Sequence, residues 1–430
     1  MLERTLVQSR GFRNTGPAEA RTGFEFLLRI PNYRGMRASL ADGVDVVVDG
    51  EDFPHPGNRL VVQGRELTLE QLRDASSLRW NLDETVTVRV PKAGGLAAGI
   101  HKLQVGVRIR QPYIPIEFQP SVIMETREAT LIEADTPGEG GFKYGVSLYS
   151  FTDDYNTVLS LEDCFAHIAG MGATGIELLG EAHVTGYPEP TEEWVAEWRH
   201  LLAKYRLEPT NYGSWIDTRL RLARNLTAVE AAEDLKQDLR LAARLGFTSV
   251  RPKIGVVSID LQPDPIWEET ILRSLDTAAE LGVVICPEIH APTPIRHPVV
   301  DSYIEFIERT GTKHFGLLID TGIFQDRPLP YFPGETEDMR TSFLNGIKVD
   351  PMDFLPIAKY VTFIQAKFHH IDATLHDHHI PWERVLPALR KAGYTGYLSS
   401  EFEGARDPWA SVEQVRRQHA LLRRLSAGCC

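Results

Sequence analysis

Apolar and polar residues alternate with the period of a half-buried strand along much of the first 130 residues. The alternating runs are short, and turn-forming pairs such as Asp49-Gly50 and Gly94-Gly95 lie between them. This pattern predicts an antiparallel β-sandwich over residues 1–130, followed by a linker at residues 131–142, where Glu, Thr, Pro and Gly accumulate. The clearest predicted strands of the sandwich are residues 23–30, 44–48, 59–62, 85–90 and 102–110.

From residue 143 to residue 426, short β-rich runs alternate with longer segments of helical periodicity, such as residues 228–245 and 386–392. Alternation of this kind is typical of a parallel sheet whose strands are joined by crossover helices. Eight such repeats predict a closed (β/α)8 barrel, or TIM barrel, with a short tail at 427–430. The predicted strands are residues 144–149, 175–179, 208–213, 249–254, 283–289, 315–320, 361–366 and 396–401.

A long segment, residues 326–350, lies between the sixth and seventh predicted strands of the barrel and contains Pro328, Pro330 and Pro333. Loops of this length in compact domains are usually functional or disordered. Because loops that follow barrel strands lie on the catalytic face, we expect this segment to be a lid.

The composition is that of a globular protein, with 43% hydrophobic and 24% charged residues in a chain of 430. A formal net charge of −13, without a cluster of basic residues, argues against a nucleic-acid partner and favours a small polar ligand. Residues 1–14 lack the apolar core of a signal peptide, and no apolar stretch approaches the roughly 20 residues that span a bilayer. We therefore expect a cytoplasmic protein without a membrane partner. The four cysteines do not form a disulfide framework or a zinc motif.

Four late strands of the predicted barrel end in a polar residue, namely Glu288, Asp320, Gln365 and Glu401. A carboxylate carried inward at the end of an apolar strand is costly unless it is paired or bound to a cation. Three such carboxylates on neighbouring strands repel one another, and a divalent ion converts that repulsion into binding. Oxygen ligands favour Mn²⁺, with Mg²⁺ or Co²⁺ as alternatives, over zinc.

The residues alone leave two alternatives open. Each acid could instead form a salt bridge with a basic residue on a neighbouring strand, such as Arg251 or Lys253. His369 or His370 could also replace Gln365 as the fourth ligand, since positions 365, 367 and 369 share one face of the seventh strand. The further histidines at 376, 378 and 379 do not have the spacing of a zinc motif, and we interpret them as loop surface.

His290 lies two residues beyond Glu288 and is therefore expected on the same side of the strand. A neutral imidazole beside a bound cation is a suitable general base, because the positive charge disfavours its protonation. Lys367 could polarise a substrate carbonyl or hold an anionic intermediate, or it could pair with Asp320 or Glu401. The candidate substrate-binding residues are Tyr149, Glu181, His183, Arg251, Lys253, His369 and Glu403.

Four motifs stand out in the predicted barrel, namely Pro-Glu-Ile-His at 287–290, Leu-Ile-Asp-Thr-Gly at 318–322, Gln-Ala-Lys-Phe at 365–368 and Gly-Tyr-Thr-Gly-Tyr-Leu-Ser-Ser-Glu-Phe-Glu-Gly at 393–404. They resemble the xylose-isomerase-like superfamily of sugar isomerases, epimerases and lyases, and the resemblance covers residues 143–426. It implies that Glu288, Asp320, Gln365 and Glu401 hold a divalent metal, although many members have His where this chain has Gln365.

The N-terminal β-rich segment, with Gly-Phe-Arg-Asn at 11–14 and Thr-Gly-Phe-Glu at 22–25, resembles the small β subunit of C-glycoside deglycosidases. The larger subunit of those enzymes is a barrel of the same superfamily, so the resemblance implies both subunits joined in one chain. It further implies cleavage of the carbon–carbon bond between sugar and aglycone in a 3-keto C-glycoside. A base such as His290 would remove the proton at sugar C2, the metal would stabilise the enolate, and the aglycone would then be expelled.

Two other functions stay open at this point. A sugar isomerase or ketose 3-epimerase would use the same metal and base through an enediolate, without need of a second domain. A non-catalytic sugar-binding protein is the third hypothesis, and the intact Glu288, Asp320 and Glu401 argue against it. In each case the expected partner is a small sugar or glycoside, and we expect a homo-oligomer.

Overall fold

A computed structural model describes residues 2–133, 141–255, 258–327, 336–337, 349–405 and 407–427. The chain forms two compact units, one mainly of residues 1–137 and the other mainly of residues 138–430. None of the described helices is long and apolar enough to cross a membrane.

The first unit consists chiefly of two antiparallel sheets, of five and four strands. Their inward-facing residues, among them Phe24, Val46, Val88 and Val105, belong to one continuous apolar core, as in a β-sandwich. The five-stranded sheet has the order β1 (Arg13–Thr15), β2 (Gly23–Arg29), β9 (Thr85–Pro91), β6 (Arg59–Val62), β7 (Arg65–Leu67). The four-stranded sheet has the order β11 (Ser121–Leu131), β10 (Gly99–Ile109), β4 (Ala41–Val48), β5 (Glu51–Phe53), and the unit is completed by the pair β3 (Met36–Arg37) and β8 (Arg79–Trp80) and by helix α1 (Leu69–Asp74).

Strand β11 extends the antiparallel pairing to Leu131, the first residue of the predicted linker. The strand pairs with β10 along its whole length, from Gly99 opposite Leu131 to Ile109 opposite Ser121. Its sequence conceals this, since Val122 and Met124 are 43% and 54% exposed and break the expected alternation. Most of the predicted linker, residues 131–142, lies outside the described residues.

The second unit is an α/β barrel in which every described strand pair is parallel, and the predicted TIM barrel is confirmed. The strands are β12 (Lys143–Ser147), β13 (Gly175–Leu179), β14 (Glu208–Ile216), β15 (Ser249–Ile254), β16 (Val284–Ile285), β17 (Glu288–Ile289), β18 (Leu317–Asp320), β19 (Val361–Phe368) and β20 (Tyr397–Phe402). The helices are α2 (Leu161–Ala169), α3 (Gly180–His183), α4 (Glu192–Tyr205), α5 (Ala228–Leu245), α6 (Trp267–Leu281), α7 (Pro298–Thr310), α8 (Trp382–Lys391) and α9 (Ala410–Ala427).

Local sequence explains where these helices stop and start. Helix α5 covers the predicted range because Thr227 and Glu230 form a capping box at its start and Gly246, at φ +93°, ends it in the left-handed conformation. Helix α8 begins at Trp382, directly after Pro381, near which the sequence predicts a helix start, and it contains one internal proline, Pro387.

The fifth predicted strand of the barrel is split into β16 and β17, with Cys286 and Pro287 between them. Up to Cys286 the chain pairs with β15, and Cys286 N donates to Val250 O at 2.8 Å. On the β18 side the pairing is present on both sides of the break, since Ile285 N donates to His314 O at 2.9 Å and Leu318 N donates to Pro287 O at 3.0 Å. The ladder with β15 ends here, because Pro252 has no N–H group to donate to the fifth strand.

The predicted lid, residues 326–350, lies largely outside the described residues. The remaining loops that follow the barrel strands include the segment of His376 and His378, whose side chains are exposed, as expected of loop surface.

Candidate active site

Three carboxylates converge at the carboxyl ends of β17, β18 and β20. Glu288, Asp320 and Glu401 each offer an oxygen, and these three atoms lie within 4.8 Å of one another. The strand register explains the convergence, because Asp320 is paired with Gln365 across β18 and β19, and Glu401 with Lys367 across β19 and β20. Inward side chains at period two then bring Gln365 and Lys367 to the same wall.

The Gln365 amide lies fully buried beneath the carboxylates. Its Nε2 donates to Glu177 Oε1 at 2.7 Å and to Glu401 Oε1 at 3.3 Å. When both partners are ionised they can only accept, and the network then assigns the amide nitrogen to the carboxylate side. The other atom, Oε1, accepts no hydrogen bond from any described residue. A buried carbonyl oxygen without a donor is a suitable acceptor for a cation.

Basic side chains partly neutralise the cluster. Glu288 lies 3.4 Å from Arg251 Nη1 and 3.5 Å from Lys253 Nζ. Lys367 Nζ lies 2.7 Å from Asp320, 3.1 Å from Glu403 and 3.5 Å from Glu401. The salt bridges that the sequence left open as an alternative to a metal site are therefore present.

Among the described residues, the basic side chains do not balance the charge of the acidic ones. Two negative charges remain when every group is ionised, which equals the charge of one divalent cation. The acids are Glu177, Glu288, Asp320, Glu401 and Glu403, and the bases are Arg251, Lys253 and Lys367.

The pKa values of the acids reflect this excess. Burial raises the pKa of Asp320 to about 6, against the opposing effect of Lys367, and it raises the pKa of Glu401 well above its ordinary value. Glu288 and Glu403 are exceptions. Lys253 and Arg251 outweigh the burial of Glu288 and hold its pKa well below the ordinary value, and Lys367 outweighs the burial of Glu403 and lowers its pKa. Without a further cation, the cluster thus favours retaining protons on Asp320 and Glu401.

His290 stands beside the carboxylates, and one of its ring nitrogens carries a lone pair that can accept a proton. Lys253 Nζ lies 3.0 Å from His290 Nε2, and the ammonium group can only donate. Nε2 therefore carries the lone pair, and Nδ1 carries the proton that it donates to the Ala291 carbonyl. Burial lowers the pKa of His290 to about 4, so the imidazole is neutral near pH 7.

A cavity of about 240 Å³ opens above the cluster. Nine of the residues predicted from sequence line it, namely Tyr149, Arg251, Lys253, Glu288, His290, Asp320, Lys367, Glu401 and Glu403. Trp215 is an unpredicted lining residue, and its ring faces the Arg251 guanidinium at 5.2 Å and the Lys253 ammonium at 5.4 Å. Gly322 is another, and its N–H donates to Asp320 Oδ1 at 2.7 Å.

Three residues predicted to contact substrate do not line this cavity. Glu181 is exposed on α3, because the chain turns into that short helix directly after β13. His183 is buried in the same helix, where its Nδ1 accepts from Leu179 N at 3.0 Å. His369 is held by the Glu403 carbonyl, 2.9 Å from its Nδ1. As for the alternative fourth ligands, His370 is exposed and His369 does not belong to the carboxylate cluster.

Glu177 is a site residue that the sequence analysis missed. It is fully buried on β13, and it accepts from Asn211 Nδ2 at 3.0 Å and from Ser399 Oγ at 2.8 Å as well as from Gln365. These bonds orient the Gln365 amide. The signal was present, since an acid inside the apolar run Gly-Ile-Glu-Leu-Leu at 175–179 meets the same criterion that identified Glu288.

We predict that a buried histidine outside the site makes the protein unstable toward acid. Burial lowers the pKa of His419, on α9, to about 3. Because the folded state resists protonation that the unfolded chain accepts near pH 6.5, stability is lost as the pH falls from there toward 3. In His419→Leu, the loss of unfolding free energy between pH 7 and pH 4.5 should shrink by ~2–3 kcal/mol. Urea denaturation at the two pH values measures it. An unchanged loss in His419→Leu would contradict the prediction, and the exposed His200→Leu serves as control.

Comparison with known proteins assigns both halves of the chain. Residues 165–425 match the family model described as xylose isomerase-like TIM barrel, and the chain belongs to that family. Residues 2–113 match the C-glycoside deglycosidase beta subunit model, and this segment belongs to that second family.

Curated relatives of the two halves are subunits of deglycosidases. The 3'-dehydrocarminate deglycosidase alpha subunit of Microbacterium sp is 28% identical and aligns with 66% of this chain and 95% of its own length. The C-glycoside deglycosidase alpha subunit of Arthrobacter globiformis is 25% identical over 66% of this chain and 92% of its own length. The C-glycoside deglycosidase beta subunit of Eubacterium cellulosolvens is 32% identical over 26% of this chain and 78% of its own length.

Proposed function

We propose that this protein is a metal-dependent lyase that cleaves the carbon–carbon bond between sugar and aglycone in 3-keto C-glycosides. The observation that carries the proposal is the group of three carboxylates beside a neutral His290, in a chain that joins the alpha-like and beta-like halves of deglycosidases. A ketone at C3 of the sugar acidifies the proton at C2, and a general base can remove that proton.

The residues fit a divalent cation. Glu288, Asp320 and Glu401 would hold it together with the otherwise unpartnered Oε1 of Gln365, and this all-oxygen set suits Mn²⁺, Mg²⁺ or Co²⁺ rather than zinc. When bound, such an ion supplies Lewis-acid stabilisation of negative charge on a substrate oxygen.

Charged groups around the cavity bind and orient the sugar. Arg251 and Lys253 stand on one wall and Glu403 and Lys367 on the other, so donors and acceptors face the space from both sides. Tyr149 and Trp215 add a polar hydroxyl and an aromatic surface on which the apolar face of a sugar ring can lie. The substrate is thereby held with its C2 near His290.

His290 and Lys253 together provide a route for the proton. The Lys253 ammonium turns from His290 Nε2 to the departing aglycone carbon and gives it a proton, and Nε2, with its lone pair released, takes the proton from C2 as the bond to the aglycone breaks. The 3.0 Å contact between the two nitrogens then returns the proton from His290 to Lys253. Both groups end in their starting states, and the sugar leaves as the unsaturated 3-keto product.

Incubation with MnCl2 and a 3-keto C-aryl glucoside should release the free aglycone, detected by chromatography. In D2O the aglycone should carry one deuterium at the carbon that was bonded to the sugar, since the transferred proton exchanges with solvent at His290 and Lys253. Absence of free aglycone would refute the lyase. Deuterium incorporation into a free ketose, without aglycone release, would instead favour the epimerase alternative.

We predict that His290→Gln lowers kcat by roughly 10²–10⁴-fold, the usual contribution of a general base. Glutamine keeps a group that can accept from Lys253 but cannot take the C2 proton. Mn²⁺ affinity, measured by titration calorimetry, should stay within a few-fold because the carboxylates are intact. The exposed loop variant His376→Gln is the control. A kcat within tenfold of the unmodified protein would remove His290 from the mechanism.

A further inference from the structure

Strand β11 forms an edge of the four-stranded sheet in the first unit. It pairs with β10 on one side, and among the described residues no strand pairs with it on the other. Toward its end the strand is covered, since Ala129, Thr130 and Leu131 are buried. Along residues 121–127 the outward backbone N–H and C=O groups have no partner among the described residues. This open edge is about 23 Å long, at ~3.3 Å per residue.

The open edge lacks the features by which proteins prevent edge strands from pairing with other chains. Such features are lysines, prolines, β-bulges and very short strands. Strand β11 contains neither Lys nor Pro, and it pairs with β10 without a bulge from Ser121 to Leu131. Pro120 lies just outside the strand and fixes where it begins. A long, regular and open edge of this kind is a template for one further strand.

The inner side of this edge is held in place by the N-terminal segment. The Glu125 carboxylate accepts from Leu6 N at 2.8 Å and from Val7 N at 3.0 Å. Arg127 Nη1 lies 2.7 Å from the buried Glu3 carboxylate. Because the strand is already ordered by these contacts, pairing along its outer side costs little conformational entropy.

Apolar side chains surround the open edge. Val122 and Met124 are about half exposed on the outer face of the sheet. Met124 lies flat across β10, because a Cβ on the opposite residue, Gly106, would stand only 2.8 Å from its sulfur. The loop that leads into the strand adds three largely exposed apolar residues, Tyr113, Ile116 and Phe118. A group of exposed apolar side chains marks an interaction surface.

The sequence of the open edge is complementary to itself. Antiparallel pairing about a two-fold axis through Met124 places this residue opposite its own copy. The same register places Val122 opposite Thr126 and Ser121 opposite Arg127. No pair then joins two like charges, and the outward side chains of both copies stay on one face of the sheet. A second copy of the chain is therefore an occupant that matches this edge in both hydrogen bonding and side chains.

We propose that the protein forms a two-fold dimer through β11, in which the two four-stranded sheets join into one sheet of eight strands. Backbone hydrogen bonds along residues 121–127 hold the two copies together, and the apolar side chains at 122 and 124 fix the register. The dimer goes beyond the proposed function and does not depend on it. Loss of either one would leave the other standing.

Analytical ultracentrifugation of the full chain over a concentration series tests the interface. The unmodified protein should sediment at twice the 48.3 kDa of one chain. The double variant Val122→Lys, Met124→Lys should raise the Kd of the dimer by about tenfold or more, because like charges then face each other across the axis. The matched control is Tyr33→Lys with Leu82→Lys, which adds the same charge at two exposed apolar residues of the same unit and should leave the dimer intact.

Cysteine crosslinking tests the register, in a chain that also carries Cys429→Ser and Cys430→Ser. With the axis at residue 124, the two copies of Met124→Cys lie opposite each other and should form an intermolecular disulfide under mild oxidation. The two copies of Thr126→Cys would lie roughly 14 Å apart, beyond the reach of a disulfide, and should stay reduced. Denaturing gels without reductant separate the two results.

The outcomes decide the proposal in either direction. A monomeric unmodified chain, or a dimer that the double lysine variant leaves unchanged, would overturn the interface at β11. Equal crosslinking of Met124→Cys and Thr126→Cys would overturn the register about residue 124. If the double lysine variant does not fold, the two cysteine variants decide alone.

Discussion

Asp320→Asn should weaken Mn²⁺ binding by roughly 100-fold or more and abolish the cation-dependent part of the protein's stability. Substitution of a residue that only orients a metal ligand lowers metal affinity 10–100-fold, and substitution of a ligand carboxylate should lower it at least as much. Asparagine can still accept from Gly322 N, so the local turn after β18 is kept while the charge is lost. Titration calorimetry measures the affinity, and thermal denaturation with EDTA or MnCl2 measures the stabilisation.

The unmodified protein provides the reference for this measurement. At an Mn²⁺ concentration 100 times the Kd, it should gain ~2.7 kcal/mol of unfolding free energy. The control Asp260→Asn removes an exposed acid away from the cluster and should keep the whole gain. Equal Mn²⁺ affinity in Asp320→Asn and the unmodified chain would show that the carboxylates do not form a cation site. The proposed chemistry would then lose its basis.

Lys367→Met should destabilise the metal-free protein by ~3–5 kcal/mol, the cost of removing one partner from a buried ion pair. Although burial opposes its charge, Asp320 and its neighbours raise the pKa of Lys367 well above the ordinary value, so the ammonium form is present at neutral pH. Its loss leaves Asp320, Glu401 and Glu403 with no other cation within 4 Å among the described residues. Urea denaturation in EDTA measures the cost.

The same variant should gain more stability from saturating MnCl2 than the unmodified protein does, because the divalent ion then faces a more negative cluster. The exposed Lys359→Met is a suitable control, since its side chain is 70% exposed and should change stability by less than ~1 kcal/mol. An equal Mn²⁺ stabilisation in Lys367→Met and the unmodified chain would mean that the ammonium group and the cation site are independent.

The acids at strand ends could be predicted from the sequence, because an acid at the end of an apolar run has few structural explanations. Glu288, Asp320 and Glu401 were identified in this way, and the structure brings them together. Glu177 was not predicted, because it lies in the second barrel strand, whereas the prediction rested on acids in the late strands. The salt bridges of Arg251, Lys253 and Lys367 depend on the stagger between strands, which periodicity does not specify.

Contacts made by loops and by neighbouring strands were less predictable. His369 follows the inward periodicity of β19, but the Glu403 carbonyl holds its ring away from the cavity. The interruption of the fifth strand at Cys286 and Pro287 appears in the sequence only as one proline in an apolar run. The cytoplasmic location and the homo-oligomer stay predictions.

Joining a beta-like and an alpha-like segment in one polypeptide has a quantitative consequence for the cell. Curated relatives carry these segments as separate subunits, whose assembly depends on the concentration of each. Here translation delivers the two in equal number at every level of expression, and dilution leaves them tethered at a high effective concentration.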